Sequence, residues 1–257
     1  MTQVAASMEK TLKEFLRDKM VIFWTFAIPL FFVIGFPLIL YGDTPNEVAS
    51  SLKGGLTLTM VTFLLMTAGQ ANLPGSIATD RERGQYLKMA SMPVQPWKEG
   101  LGRVLAVWIF ALIGGILVLL IGLSYGATFK GGFIVSLESF GFVFLTALAS
   151  VGIGLIIASI VKGESAATHT GIALTLLTYF IGGMTGLYPN LPSALQAFAR
   201  IHPISSANAA MVFLLEGEEF VGYNPLNIGQ TAFTISMSLL VFIIGLVLYS
   251  KYCWRKR

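Results

Sequence analysis

The sequence predicts an all-α integral membrane protein, one domain over residues 1–257. It has six transmembrane helices, an N-terminal amphipathic interfacial helix, a short helix in the largest inner loop, and short re-entrant helices before the last span. Three observations carry this. Hydrophobic residues make up 55% of the chain and charged residues 12%, with mean hydropathy +0.75, whereas a soluble domain carries roughly 25% charged residues. Six continuous apolar stretches, 21–41, 56–78, 104–125, 140–161, 168–187 and 228–250, approach the roughly 20 residues needed to cross a hydrocarbon layer about 30 Å thick. Fourteen of the 17 lysines and arginines fall on one side of these six spans, the asymmetry that marks the cytoplasmic face. Both termini are therefore expected in the cytoplasm, and the pI near 9.2 is a topology signal, not a nucleic-acid signal.

The elements follow in order. Over residues 1–20, Val4, Met8, Leu12, Phe15, Leu16 and Met20 recur at three- and four-residue steps. Glu9, Lys10, Lys13, Glu14, Arg17 and Asp18 take the other face, so the segment reads as an amphipathic helix lying along the membrane surface. Glu9 with Lys13 and Lys10 with Glu14 have the spacing for mild ionic support. The first span is too long for a signal peptide, no A-x-A cleavage site follows it, and it is expected to stay in the mature protein. Gln70, Asn72, Pro74 and Gly75 make the inner end of span two polar, and Gln70 and Asn72 are candidate substrate-path residues. The inner loop, residues 79–103, starts with Thr79 or Asp80 as a cap, is loosened at Gly84, and cannot continue as a helix through Pro93 and Pro96. Its short helix presents Tyr86, Leu87 and Met89, with Asp80, Arg81, Glu82 and Arg83 to set register in a partner's groove. Gly152 and Gly154 in span four, and Gly182, Gly183 and Gly186 in span five, are helix-packing positions. Residues 188–229 are too long for a turn. Their two apolar helices, broken at Pro203, are each about half a span and are expected to pack inside the bundle. His169 and His202 read as hydrogen-bonded structural groups, and Cys253 as an inert thiol.

Much chemistry is excluded. The middles of the six spans hold no Asp, Glu, Lys or Arg, which counts against a proton- or ion-coupled carrier. No H-E-x-x-H or zinc-ligand spacing occurs, and a P-loop is impossible in a chain without a Gly-Lys pair. If ATP drives this protein, another polypeptide hydrolyses it.

The amphipathic start leading to RDKMVIFWTFAIPLFF, the loop DRERGQYLKMASMPVQPWKEG and the stretch GLYPNLPSALQAFARIHPISSAN together resemble the membrane subunit of ABC-2 type exporters, over nearly the whole chain. The loop is similar to that family's E-R-E-x-G-T-x-x-x-L-x-x-x-P-V: Asp80 and Glu82 take the acidic places, Gly84 matches, Pro93 and Val94 close it, and Gln85 replaces the usual Thr. In the later stretch Pro189, Pro192, Leu195 and Gln196 fit, followed by His202, Pro203 and Ile204. The resemblance implies a cytoplasmic coupling helix at Asp80, Arg81, Glu82, Arg83, Gly84, Tyr86, Leu87 and Pro93. It also implies a separate P-loop ATPase subunit binding ATP and magnesium, no cofactor in this chain, and a homodimer in a prokaryotic plasma membrane. Scarce internal charge favours an amphipathic, drug-like or lipid-linked cargo. A secondary carrier or channel, and a non-transporting membrane scaffold, are the competing classes.

Overall fold

In a computed structural model that describes residues 2–40, 45–130, 133–185 and 188–254, the chain is built from helices, as composition requires. Helix α1, Gln3–Arg17, starts at Thr2, whose side chain accepts from the Ala5 N–H. One extended residue, Asp18, ends it and caps the next helix by accepting from the Met20 and Val21 N–H groups. That residue is the elbow between α1 and α2, Lys19–Ile39. The Glu9–Lys13 and Lys10–Glu14 pairs form as their spacing predicts. The buried face of α1 is narrower and more polar than the apolar stripe suggests: Ser7, Thr11 and Phe15 are buried while Leu16 and Met20 are exposed. The cause is α5, Pro96–Ser124, on which α1 lies. Gly102 of α5 leaves no room for even a Cβ, which would stand 2.5 Å from the Val4 carbonyl oxygen and 2.6 Å from Ser7 Cβ. Phe15 meets Phe110 edge-on at 5.4 Å. One flank of α1 thus rests on protein.

Helix α3, Asn46–Glu82, is 37 residues long, about 55 Å at the usual rise, and is the most buried of the long helices. The expected second span is its middle. A π turn at Thr67–Asn72 interrupts it just before Pro74. Proline brings no N–H to the helix, so the carbonyl four residues back, that of Gln70, loses its partner there. Two other helices close on this widened turn. A Cβ on Gly154 of α6 (Phe133–Ile160) would lie 1.9 Å from the Gly69 oxygen, and one on Gly171 of α7 (Glu164–Ile181) 1.8 Å from the Gln70 oxygen. Gly152 likewise packs on the backbone of α11, Ile228–Cys253, and Gly182 on Ser205. The expected small-residue contacts at these positions are present; Gly186, like Tyr41 and Arg255 to Arg257, lies outside the described residues.

Between α3 and α5 stands α4, Gln85–Ala90. After α7 come a short turn at Tyr188–Asn190, α8 (Ser193–Ile201), α9 (Pro203–Glu216) and α10 (Glu218–Val221). The break between α8 and α9 falls where Pro203 predicts it, with His202 Nδ1 accepting from the Ser205 N–H as a cap. Helix α9 is buried against α6 and α3. Among the described residues five helices are long and apolar enough to cross a membrane: α2, α3, α5, the 137–160 part of α6, and α11. The expected fifth span, 168–187, falls on α7, shorter at 18 residues and diluted by Thr168, His169, Thr170, Thr175 and Thr178.

Candidate functional site

Polar chemistry gathers at the end of the bundle that carries α1 and α4. Arg103 of α5 is wholly buried. It donates to Glu99 one turn earlier at 2.6 Å, to Asp80 of α3, and to Ser76 Oγ at 3.2 Å. Asp80 also accepts from Lys10 of α1 at 2.5 Å. Glu99 accepts from the Tyr249 hydroxyl of α11 and weakly from Ser7 of α1. Since the one Tyr249 proton goes to Glu99, Tyr86 of α4 donates to Tyr249, over 2.9 Å. Burial raises the Tyr86 phenol well above its usual range, with the Arg103 guanidinium 5.7 Å from its ring opposing the rise, so it remains a neutral donor. Two cations and two carboxylates therefore cancel, and the hydrogen bonds bind five helices, α1, α3, α4, α5 and α11, to one another. Such a group is costly to bury and costlier to break, because removing one member strands its partners without solvent.

The expected coupling residues divide. Asp80 and Tyr86 face inward, into this network, which corrects the reading of them as surface that sets register or makes contact. Arg81 donates to the carbonyls of Ala158, Val161 and Lys162 at 3.0, 2.6 and 2.8 Å, closing the C-terminal end of α6. Glu82 accepts from the Glu164 N–H at 3.0 Å, opening α7. Gly84 has φ 69°, a left-handed value that lets the chain turn from α3 into α4. Pro93 gives its carbonyl to Gln3 of α1 at 2.7 Å. The exposed remainder is Arg83 and Leu87, to which the structure adds Lys88, Met92 and Trp97. Lys10, Glu99, Arg103 and Tyr249 are functional candidates the sequence reading missed. Only the four-residue step from Glu99 to Arg103 was a usable signal.

Gln70 is fully buried; its amide oxygen accepts from Thr175 Oγ1 at 3.4 Å, and it lines neither cavity described below. Helix α7 covers it, with Gly171 against its carbonyl oxygen. Asn72 donates to Thr25 at 2.8 Å and borders a polar cavity of about 530 Å³ at the α1–α2 elbow. His169 bonds to Ser165, and Cys253 is buried with Ser159 beside it, as structural groups.

The opposite end differs. A cavity of about 480 Å³ opens between α2, α3, α7 and α9, walled by Phe32, Phe36, Tyr179, Phe180, Tyr188 and Tyr223 among others. Nearby, Glu216 joins α9 to α3, accepting from Ser51 Oγ at 2.7 Å. Burial pushes its carboxyl up to about 7, offset in part by Ser51 and Lys130. Its other oxygen has no partner and, with the Thr128 carbonyl, crowds the space above Gly54, where a Cβ would stand 2.1 and 2.4 Å from the two.

Five helices long and apolar enough to cross a membrane, a buried charge network at one end and an aromatic-walled cavity at the other define a polytopic membrane protein. The family described as ABC-2 type transporter matches residues 2–215, and the chain belongs to it. It is a membrane permease of ABC type, a transport subunit with no ATPase of its own. No individual curated protein matches it.

Proposed function

We propose that this chain is the permease subunit of an ATP-driven exporter in a prokaryotic plasma membrane, with both termini cytoplasmic and α7 completing six crossings. Two copies assemble with two P-loop ATPase subunits, which bind ATP and magnesium. Closure of the ATPases presses on the turn from Arg83 to Trp97, whose exposed Leu87, Met92 and Trp97 supply apolar contact and Arg83 and Lys88 supply charge. The observation that carries this reading is the buried bond from Tyr86 of α4 through Tyr249, Glu99, Arg103 and Asp80 to Lys10. It ties the proposed contact helix to α1 and to three long helices, so displacement of α4 cannot stay local. Cargo, amphipathic or lipid-linked, then leaves between the copies as α9 shifts against α3 and α6.

The test is co-purification of the full chain with its P-loop ATPase. Leu87→Asp should abolish the complex while leaving the permease folded, because Leu87 is exposed. A chain that moves cargo in vesicles with no ATPase present would favour the carrier class instead and overturn the proposal.

A further inference from the structure

Three pieces of chain meet at Glu216, at the end remote from the charge network. The connection from α5 to α6 passes beside it: the Thr128 N–H donates to the Ser50 carbonyl of α3 at 3.2 Å, and the Lys130 N–H to the Leu215 carbonyl of α9 at 2.8 Å. Glu216, the last residue of α9 and only 1% exposed, takes the Ser51 hydroxyl of α3 on Oε2. Connection, α3 and α9 thus converge on one carboxyl. Gly54 makes room for it, because Oε1 and the Thr128 carbonyl oxygen both crowd the side of Gly54 where a Cβ would stand.

Oε1 is buried and receives no hydrogen bond. The one Ser51 hydroxyl proton is already given to Oε2. Charged side chains on the adjoining elements are Glu47 and Lys53 on α3, Lys130 on the connection, Glu138 on α6 and Glu218 on α10. Of these only the Lys130 charge favours the ionised carboxyl, and Oε1 has no partner among them. Ionised, Glu216 would hold a buried charge without a paired cation, against a second acceptor oxygen. One proton on Oε1 removes the charge and turns two facing acceptors into a donor and an acceptor. We propose that Glu216 is a proton-operated latch: protonated, it donates from Oε1 to the Thr128 carbonyl and fastens α9 to α3 and to the 126–130 connection, and loss of the proton lets the three part.

The sign follows from burial, which raises the closed carboxyl from 4.5 to about 7, whereas an opened, hydrated carboxyl returns to 4.5. Opening therefore releases a proton between those two values, and rising pH favours it over that range and not beyond. As control over transport, the latch rests on the reading of α9 as a moving element; as a property of the chain alone it does not.

The experiment uses the full chain in phosphatidylcholine nanodiscs. Infrared difference spectra should show a protonated-carboxyl band at pH 5 that is lost with a midpoint of about 7 and is missing in Glu216→Gln. Amide hydrogen exchange, corrected for its intrinsic rate, is followed at Thr128 and Lys130. Protection should fall by up to about tenfold per pH unit from pH 5 to 7, the most that one released proton allows, and level off above. Glu216→Gln replaces the O–H donor by an N–H donor and should keep the low-pH protection throughout, a result that misfolding cannot produce, since misfolding would abolish protection. A carboxyl already ionised at pH 5, a band that survives Glu216→Gln, or the same pH dependence in that variant would each overturn the latch. So would protection in the unaltered chain that stays constant from pH 5 to 7, whether or not the variant folds. ATPase stimulation in the complex is read separately and should fall in Glu216→Gln, which cannot open by losing a proton. Unchanged stimulation beside a working latch removes its control role, whereas no stimulation by the unaltered chain counts against the transport reading and leaves the latch.

Discussion

Arg103 shows how much can rest on one side chain. It is wholly buried, and its charge is balanced by Asp80 and Glu99, with Lys10 completing the neutral set. Arg103→Met should therefore cost about 3–5 kcal/mol in thermal unfolding of the detergent-solubilised protein, since two carboxylates lose their main partner. Adding Asp80→Asn and Glu99→Gln to it should recover part of that loss; equal instability of single and triple variants would contradict the charge account. Glu216 makes a second prediction. Its carboxyl is raised from the usual 4.5 to about 7, so the folded state holds a proton that the unfolded state has released. Stability from this group is full below about pH 4.5 and declines as pH rises through about 7. Glu216→Gln should flatten that decline when melting is followed from pH 5 to 8, and an unchanged pH profile would contradict it. The residue scale was the least legible in sequence. Arg103 reads as one more inner-loop cation, and Tyr249 stands 150 positions from the Glu99 it bonds; contacts between distant elements leave no local pattern.

At the scale of elements the sequence is more explicit, because length and continuous apolarity are local properties that the bilayer demands directly. The long helices, the amphipathic α1, the turn at Gly84 and the break at Pro203 all fall where composition and caps place them. What escaped is what neighbours impose. The polar flank of α1 is buried only because Gly102 of α5 admits its backbone, and Gln70 is a packing residue only because Gly171 brings α7 across it. The threonine-rich α7 stands below the apolarity of the five others, and its polar groups face protein where Thr175 meets Gln70. Two substitutions probe these joints. Gly171→Val should cost about 1–3 kcal/mol by overpacking, read as a lower melting temperature. Gly84→Ala meets no neighbouring atom but must hold φ near 69°, a cost of about 1–2 kcal/mol. It should reduce ATPase stimulation by the permease far more than it reduces melting temperature; intact stimulation would place the coupling surface elsewhere.

At the scale of the whole molecule, a charged and interlocked end bearing α1 and α4 is joined by long helices to an end with an apolar cavity and a buried carboxyl. The fold is thus suited to take a push at one end and change packing at the other, and the exposed apolar faces of α2, α7 and α11 leave surface for lipid and for a second copy. Whether motion of α4 reaches α9 is the question on which the account stands. It is answered most directly by spin labels at Ala90 of α4 and Glu218, both exposed, with distances measured by pulsed electron resonance in the complex with its ATPase. Adding a non-hydrolysable ATP analogue should shift the distance distribution in the otherwise unchanged protein. In a Tyr86→Phe, Tyr249→Phe variant, which still binds the ATPase, the shift should be lost. A shift of the same size in that variant would contradict the claim that the buried network carries the motion.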